Sequence, residues 1–121
     1  MKNTLPVSKN KEMGLPFGEM RKIKIAFDVD GTLRCNCNEV CTDPNRNIVS
    51  LFNILATFKN TELYVWSGGA FEYARSFAER FKLPIKESHC ISKIGAPQMD
   101  MAIDDIQDTA IGKINLIVRE K

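Results

Sequence analysis

Apolar and polar positions in this chain fall into two periods, and the switch between them marks out its elements. In "KIKIAF", residues 22–27, Lys and Ile alternate before the run turns wholly apolar, as in a strand entering a buried sheet. In "NIVSLFNILATF", Ile48, Leu51, Phe52 and Leu55 recur at the spacing of one helical face, with Asn45 or Asn47 as the N-cap. "ELYVW" is β-prone and stops at Ser67-Gly68-Gly69. Ala70, Ala74, Phe77, Ala78 and Phe81 then repeat at helical spacing until Pro84 forbids continuation. "HCI" reads as a brief third strand, "MDMAI" as a further apolar run and "INLIV" as a last strand. Strands alternating with helices predict an α/β fold with a mostly parallel sheet, right-handed crossovers and helices on both faces.

Length and composition narrow this little. The 121 residues suit one domain, and 44% hydrophobic with 26% charged residues is the balance of a globular chain. Residues 1–21, with Pro6, Gly14, Pro16 and Gly18, read as a tail or lead-in, so the domain is expected over 22–121. No apolar stretch approaches the roughly 18 residues of a membrane helix, and the N-terminus lacks the apolar segment of a secretory signal; a cytoplasmic location with no membrane partner is expected. A net charge of +2 gives no strong field toward nucleic acid. Lys2, Lys9, Lys11, Arg21, Lys22 and Lys24 outnumber Glu12 and Glu19 near the start, which leaves nucleic acid open as a partner without pointing to it.

The chemistry lies where the apolar runs end. Asp28 and Asp30 follow the first, Ser67 the second, and Asp104 and Asp105 the run "MDMAI". Singly, each is explained as a turn or a helix cap. Together they fall at the carboxyl ends of strands, where open α/β sheets bind ligands. Four carboxylates in one cleft repel unless some are protonated or a cation sits among them, and Mg²⁺ is the hard divalent ion that oxygen ligands hold. If Asp28 ligates with one oxygen, its other oxygen can attack phosphorus and split a hard hydrolysis into two displacements. Asp30 would then give a proton to the leaving group and take one from water. Gly31 would let the chain bend away, and Thr32 would hydrogen-bond within that turn.

"DVDGTL", residues 28–33, resembles the first motif of the haloacid dehalogenase-like hydrolase superfamily, most of whose members are Mg²⁺-dependent phosphatases. The likeness runs from about Lys22 to Val118. It implies a Rossmann-like core, an aspartyl-phosphate intermediate on Asp28, and Asp30 as acid and base. Ser67 in "LYVWSGG", with Gly68, would bind the phosphate, and the motif lysine is Lys93 in "SKIGAP" or, failing that, Lys86 in "PIKESHC". Asp104 and Asp105 in "MAIDD" join Asp28 and Asp30 as metal ligands. An acid at position 30 implies a phosphatase or phosphomutase. The segment from Leu33 to Ile48 and the junction after Ser67 leave no room for a substantial cap domain. An uncapped site opens to small or macromolecular phosphorylated substrates, and a mutase, which must shelter its intermediate from water, fits less well.

Cys35, Cys37, Cys41 and Cys90 allow three disulfide connectivities, but a reducing compartment argues against structural bridges. Three thiolates with Cys90 or His89 would suit Zn²⁺, although C-x-C-x3-C is not the usual paired spacing; free cysteines and a redox-sensitive loop are the other readings. The expectation is therefore a Mg²⁺-dependent phosphomonoesterase. A non-catalytic, zinc-holding interaction module and a nucleotide or polynucleotide-end phosphatase stand as alternatives.

Overall fold

A computed structural model describes residues 21–35 and 41–119. β1 (Ile23–Asp28), α1 (Arg46–Leu55), β2 (Thr61–Ser67), α2 (Phe71–Arg80), β3 (Cys90–Ser92), β4 (Met99–Asp104) and β5 (Gly112–Ile117) follow one another, with 3-10 turns at Glu87–His89 and Gln107–Thr109. The five strands make one parallel sheet in the order β3-β2-β1-β4-β5. β1 pairs with β2 on one side, Asp28 beside Trp66, and with β4 on the other, Phe27 beside Ile103. Strand order reverses between β1 and β4, so the crevice of an open α/β sheet lies there.

Alternation along the strands divides the interior. Ile25, Phe27, Leu63, Val65 and Ile103 form one buried cluster with Phe52 of α1 and Ala74 and Ala78 of α2. Phe27 and Phe52 meet edge to face at 4.9 Å. Burying a ring of this kind contributes roughly 1.5–3 kcal/mol. Ala26, Tyr64, Trp66 and Ala102 form a second cluster with Met99, and Ile91 and Ala96 pack against it.

The alternation of elements predicts helices on both faces, whereas among the described residues α1 and α2 both pack on the first cluster. The steps β1 to β2 and β2 to β3 run the same way along the sheet, and right-handed crossovers in one direction put their helices on one face. The return from β3 to β4 passes β2 and β1, a lateral distance of roughly 14 Å at the usual strand spacing. Residues 93–98 make that crossing without a helix. Because both helices lie over the β1–β2–β3 side, Ile114 and Leu116 of β5 remain exposed although they share the face of Met101 and Ile103.

The helix ends follow local rules. Asn45, of the two candidates, is the N-cap residue of α1, and its N–H donates to the Leu33 carbonyl at 2.7 Å. α2 closes in a Schellman motif: the Leu83 N–H reaches the Ala78 carbonyl at 2.9 Å and the Lys82 N–H the Glu79 carbonyl at 3.1 Å. The left-handed position is occupied by Lys82, with φ of 57°, rather than by glycine. The lead-in expected over residues 1–21 lies outside the described residues except for Arg21, which is not a free tail residue. Its guanidinium bonds Asp100 at 2.8 Å and, with the Lys24 N–H, holds that carboxyl down to about 2. Among the described residues no helix is long and apolar enough to cross a membrane.

Candidate active site

Asp28 ends β1 and Asp104 ends β4, and these strands are hydrogen-bonded neighbours. Asp105 follows at once. Carboxylate oxygens of all three lie within 4.8 Å of one another, the one group of this kind among the described residues. Gly31 lets the third acid approach: a Cβ there would overlap the Asp105 carboxylate, and its φ of 77° is one that side chains disfavour. The DxDG turn therefore needs glycine for space as well as for the bend.

Lys93, not Lys86, reaches this cluster. Its ammonium lies 2.7 Å from Asp104 Oδ2 and 3.1 Å from Asp28 Oδ1, donates to the Thr109 carbonyl at 3.2 Å and faces the Trp66 ring at 5.8 Å. Lys86 begins the 3-10 turn beside Glu62 and His89, at the amino end of β2. Burial works to lower the Lys93 pKa, but Asp104 and Asp28 outweigh it and raise the value. For Asp104, burial acts upward and is overcome by Lys93, the Ile106 N–H at 3.0 Å and the Thr109 hydroxyl at 3.1 Å, so the carboxyl stays below its usual range. Asp28 is pushed up to about 7, first by burial and then by Asp104, against the pull of Lys93. Burial and the bond to Asp104 raise Asp105 as well. One ammonium thus leaves part of the anionic charge uncompensated, and the unmatched donors are hard oxygens, which suit a divalent cation such as Mg²⁺.

Ser67 ends β2 beside Ser92 of β3, and the Lys93 N–H donates to the Ser67 carbonyl at 2.8 Å. The Ser67 hydroxyl is buried and has no hydrogen-bond partner, a condition that costs roughly 1–3 kcal/mol unless a ligand or water relieves it. Gly68 is exposed and has open space where a Cβ would be, so a ligand can approach its backbone. α2 begins just beyond, at Phe71. Thr32 does not bond within its turn as expected: its side chain is fully buried with an unpartnered hydroxyl, while the backbone bond from the Thr32 N–H to the Val29 carbonyl closes the turn at 3.2 Å.

Asp30 stands apart from the other acids. Its carboxylate is exposed and is not among the three that lie within 4.8 Å of one another, although the sequence reading placed Asp30 with them as a metal ligand. The turn at Val29–Gly31 points it outward, where Arg34 Nε donates to Oδ1 at 2.9 Å and the Tyr73 hydroxyl donates to the same oxygen. Sequence reasoning did not single out Tyr73 or Arg34. Tyr73 shows only as one exposed aromatic on a helix, and the distance of 43 residues to Asp30 hides the pairing. Arg34 lies four residues after Asp30, a visible charge spacing whose meaning depends on the turn between them.

The cysteine loop gives no metal centre among the described residues. Cys35 and Cys90 are free thiols, whereas Cys41 is disulfide-bonded, against the expectation of no bridges; Cys37 lies outside the described residues. His89 is engaged by the Leu63 carbonyl at 3.0 Å, by Glu62 at 3.8 Å and by stacking on Tyr64. A cavity of about 540 Å³ beside β3 is lined by Phe71, Arg75, Ile91 and Ile94 among others, and by none of the aspartates. Comparison with family models, curated proteins and solved structures returns no match.

Proposed function

We propose that this chain is a Mg²⁺-dependent phosphatase of the haloacid dehalogenase-like type without a substantial cap, acting on a phosphate monoester. The observation that carries the reading is the meeting of Asp28, Asp104 and Asp105 around a single lysine at the strand-order switch. The orphaned Ser67 hydroxyl beside it is the second support, because a phosphoryl oxygen would satisfy it.

An oxygen of Asp28 attacks phosphorus, the bond to the ester oxygen breaks, and that oxygen leaves with its electron pair and a proton from Asp30. Water then attacks the aspartyl phosphate, giving its proton to Asp30, and the bond from phosphorus to Asp28 breaks. Ser67, the Gly68 backbone and Lys93 hold the transferring group, and Lys93 stabilises charge developing on its oxygens. Asp28, Asp104 and Asp105 would hold Mg²⁺, which supplies positive charge to offset both the carboxylates and the phosphoryl oxygens.

The test is hydrolysis of p-nitrophenyl phosphate with and without Mg²⁺ by wild type and Asp28→Asn. We expect metal-dependent turnover that vanishes in the variant, and a loss on the order of 10²-fold or more for Lys93→Ala. Equal activity of wild type and Asp28→Asn, both folded and Mg²⁺-bound, sinks the reading.

A further inference from the structure

We infer that Tyr73 and Arg34 are positioning residues that aim the Asp30 carboxyl for proton transfer to the leaving group. The inference rests on the phosphatase reading above and adds to it two residues from outside the acidic motifs.

Both donors fall on one oxygen. Arg34 Nε and the Tyr73 hydroxyl each donate to Asp30 Oδ1, which leaves Oδ2 as the oxygen without either donor. A side chain that is 57% exposed has no packing to fix its rotamer, and these two bonds supply the restraint from opposite directions in the chain. Each donor is itself held. Arg34 is 12% exposed at its side chain, donates to the Cys41 carbonyl at 2.6 Å, and its backbone N–H bonds the Val29 carbonyl at 2.8 Å. Tyr73 sits in the first turn of α2, packed edge-on against Phe77 at 5.2 Å. α2 starts just after Ser67-Gly68, so the helix following the phosphate-binding turn also carries the hydroxyl that sets the acid. Precise orientation of a reacting group by supported neighbours is worth orders of magnitude in rate. In the first step the Asp30 carboxyl loses its proton to the departing ester oxygen as that oxygen takes the electron pair of the broken phosphorus bond. Tyr73 and Arg34 keep all their protons.

The test compares p-nitrophenyl phosphate, whose phenolate departs unprotonated, with phenyl phosphate, whose oxygen needs a proton, using the full chain with Mg²⁺. For Tyr73→Phe we expect the ratio of kcat/KM on the two esters to shift by roughly tenfold against phenyl phosphate, mainly through kcat, with a larger shift in the same sense for Asp30→Asn. Equal losses on both esters, or no loss, overturn the positioning role. The contact has its own measurement: melting temperatures of Tyr73→Phe, Asp30→Asn and the double variant should be non-additive, and additive shifts overturn the clamp while leaving the phosphatase intact. No turnover of either ester by wild type, or full turnover by Asp28→Asn, overturns the phosphatase reading and with it the proton-transfer role, whatever the melting data show of the contact.

Discussion

At the residue scale, Asp28 contributes to how stability depends on pH. Its folded-state value of about 7 exceeds that of an unfolded aspartate, so the folded protein holds a proton that the unfolded chain releases. That contribution to stability is complete below about pH 4 and is lost as pH rises toward 7; the raised Asp105 acts in the same sense. Asp104, held low, acts in the opposite sense, through stability lost only as pH falls below the usual carboxylate range. The metal-free protein is therefore expected to melt at lower temperature at pH 8 than at pH 5, and the rise in melting temperature on adding Mg²⁺ to grow across the same interval. Calorimetry with and without chelator checks both. Gly31→Ala should displace Asp105 and weaken Mg²⁺ binding by about tenfold or more, roughly 1.4 kcal/mol, as read by titration calorimetry; unchanged affinity would remove the close approach from the argument. The approach of Asp28, Asp104 and Asp105 was legible because their residue types and strand-end positions are local facts, whereas the sequence left Lys93 and Lys86 as alternatives. The tyrosine hydroxyl on Asp30 was not legible, since it depends on where a helix lands after the sheet has formed.

At the scale of the element, the Schellman closure of α2 carries an avoidable strain. Lys82 holds a left-handed backbone that costs roughly 1–2 kcal/mol for a residue with a Cβ. Its side chain is exposed, so Lys82→Gly is expected to stabilise the fold by about 0.5–1 kcal/mol, measurable by urea denaturation. The strand runs and helix periods could be read in type because burial imposes period two on strands and 3.6 on helices, and α2 closes at Arg80, before Pro84 is reached. The face each helix covers could not be read. That depends on the direction of each step along the sheet, here the same from β1 to β2 as from β2 to β3, which no local pattern records.

For the whole molecule, the decisive feature is that β1 has one neighbour early in the chain and another late. β1, β2 and β3 are joined by consecutive crossovers, whereas pairing with β4 brings the Lys24 N–H to Asp100 across 76 residues. Contacts so far apart in sequence form slowly, because loop-closure entropy must be overcome before they reward the chain. The seam between β1 and β4 is also the one that unites Asp28 with Asp104 and Asp105. If that seam closes after the rate-limiting barrier, its stabilisation appears in the unfolding rate, because contacts absent from the barrier act there. Mg²⁺ is expected to slow unfolding in stopped-flow experiments while leaving the refolding rate nearly unchanged; a faster refolding limb would place the seam inside the nucleus. An ion held by the three aspartates would in this way also set the lifetime of the native state, so that a chain depleted of metal would be short-lived.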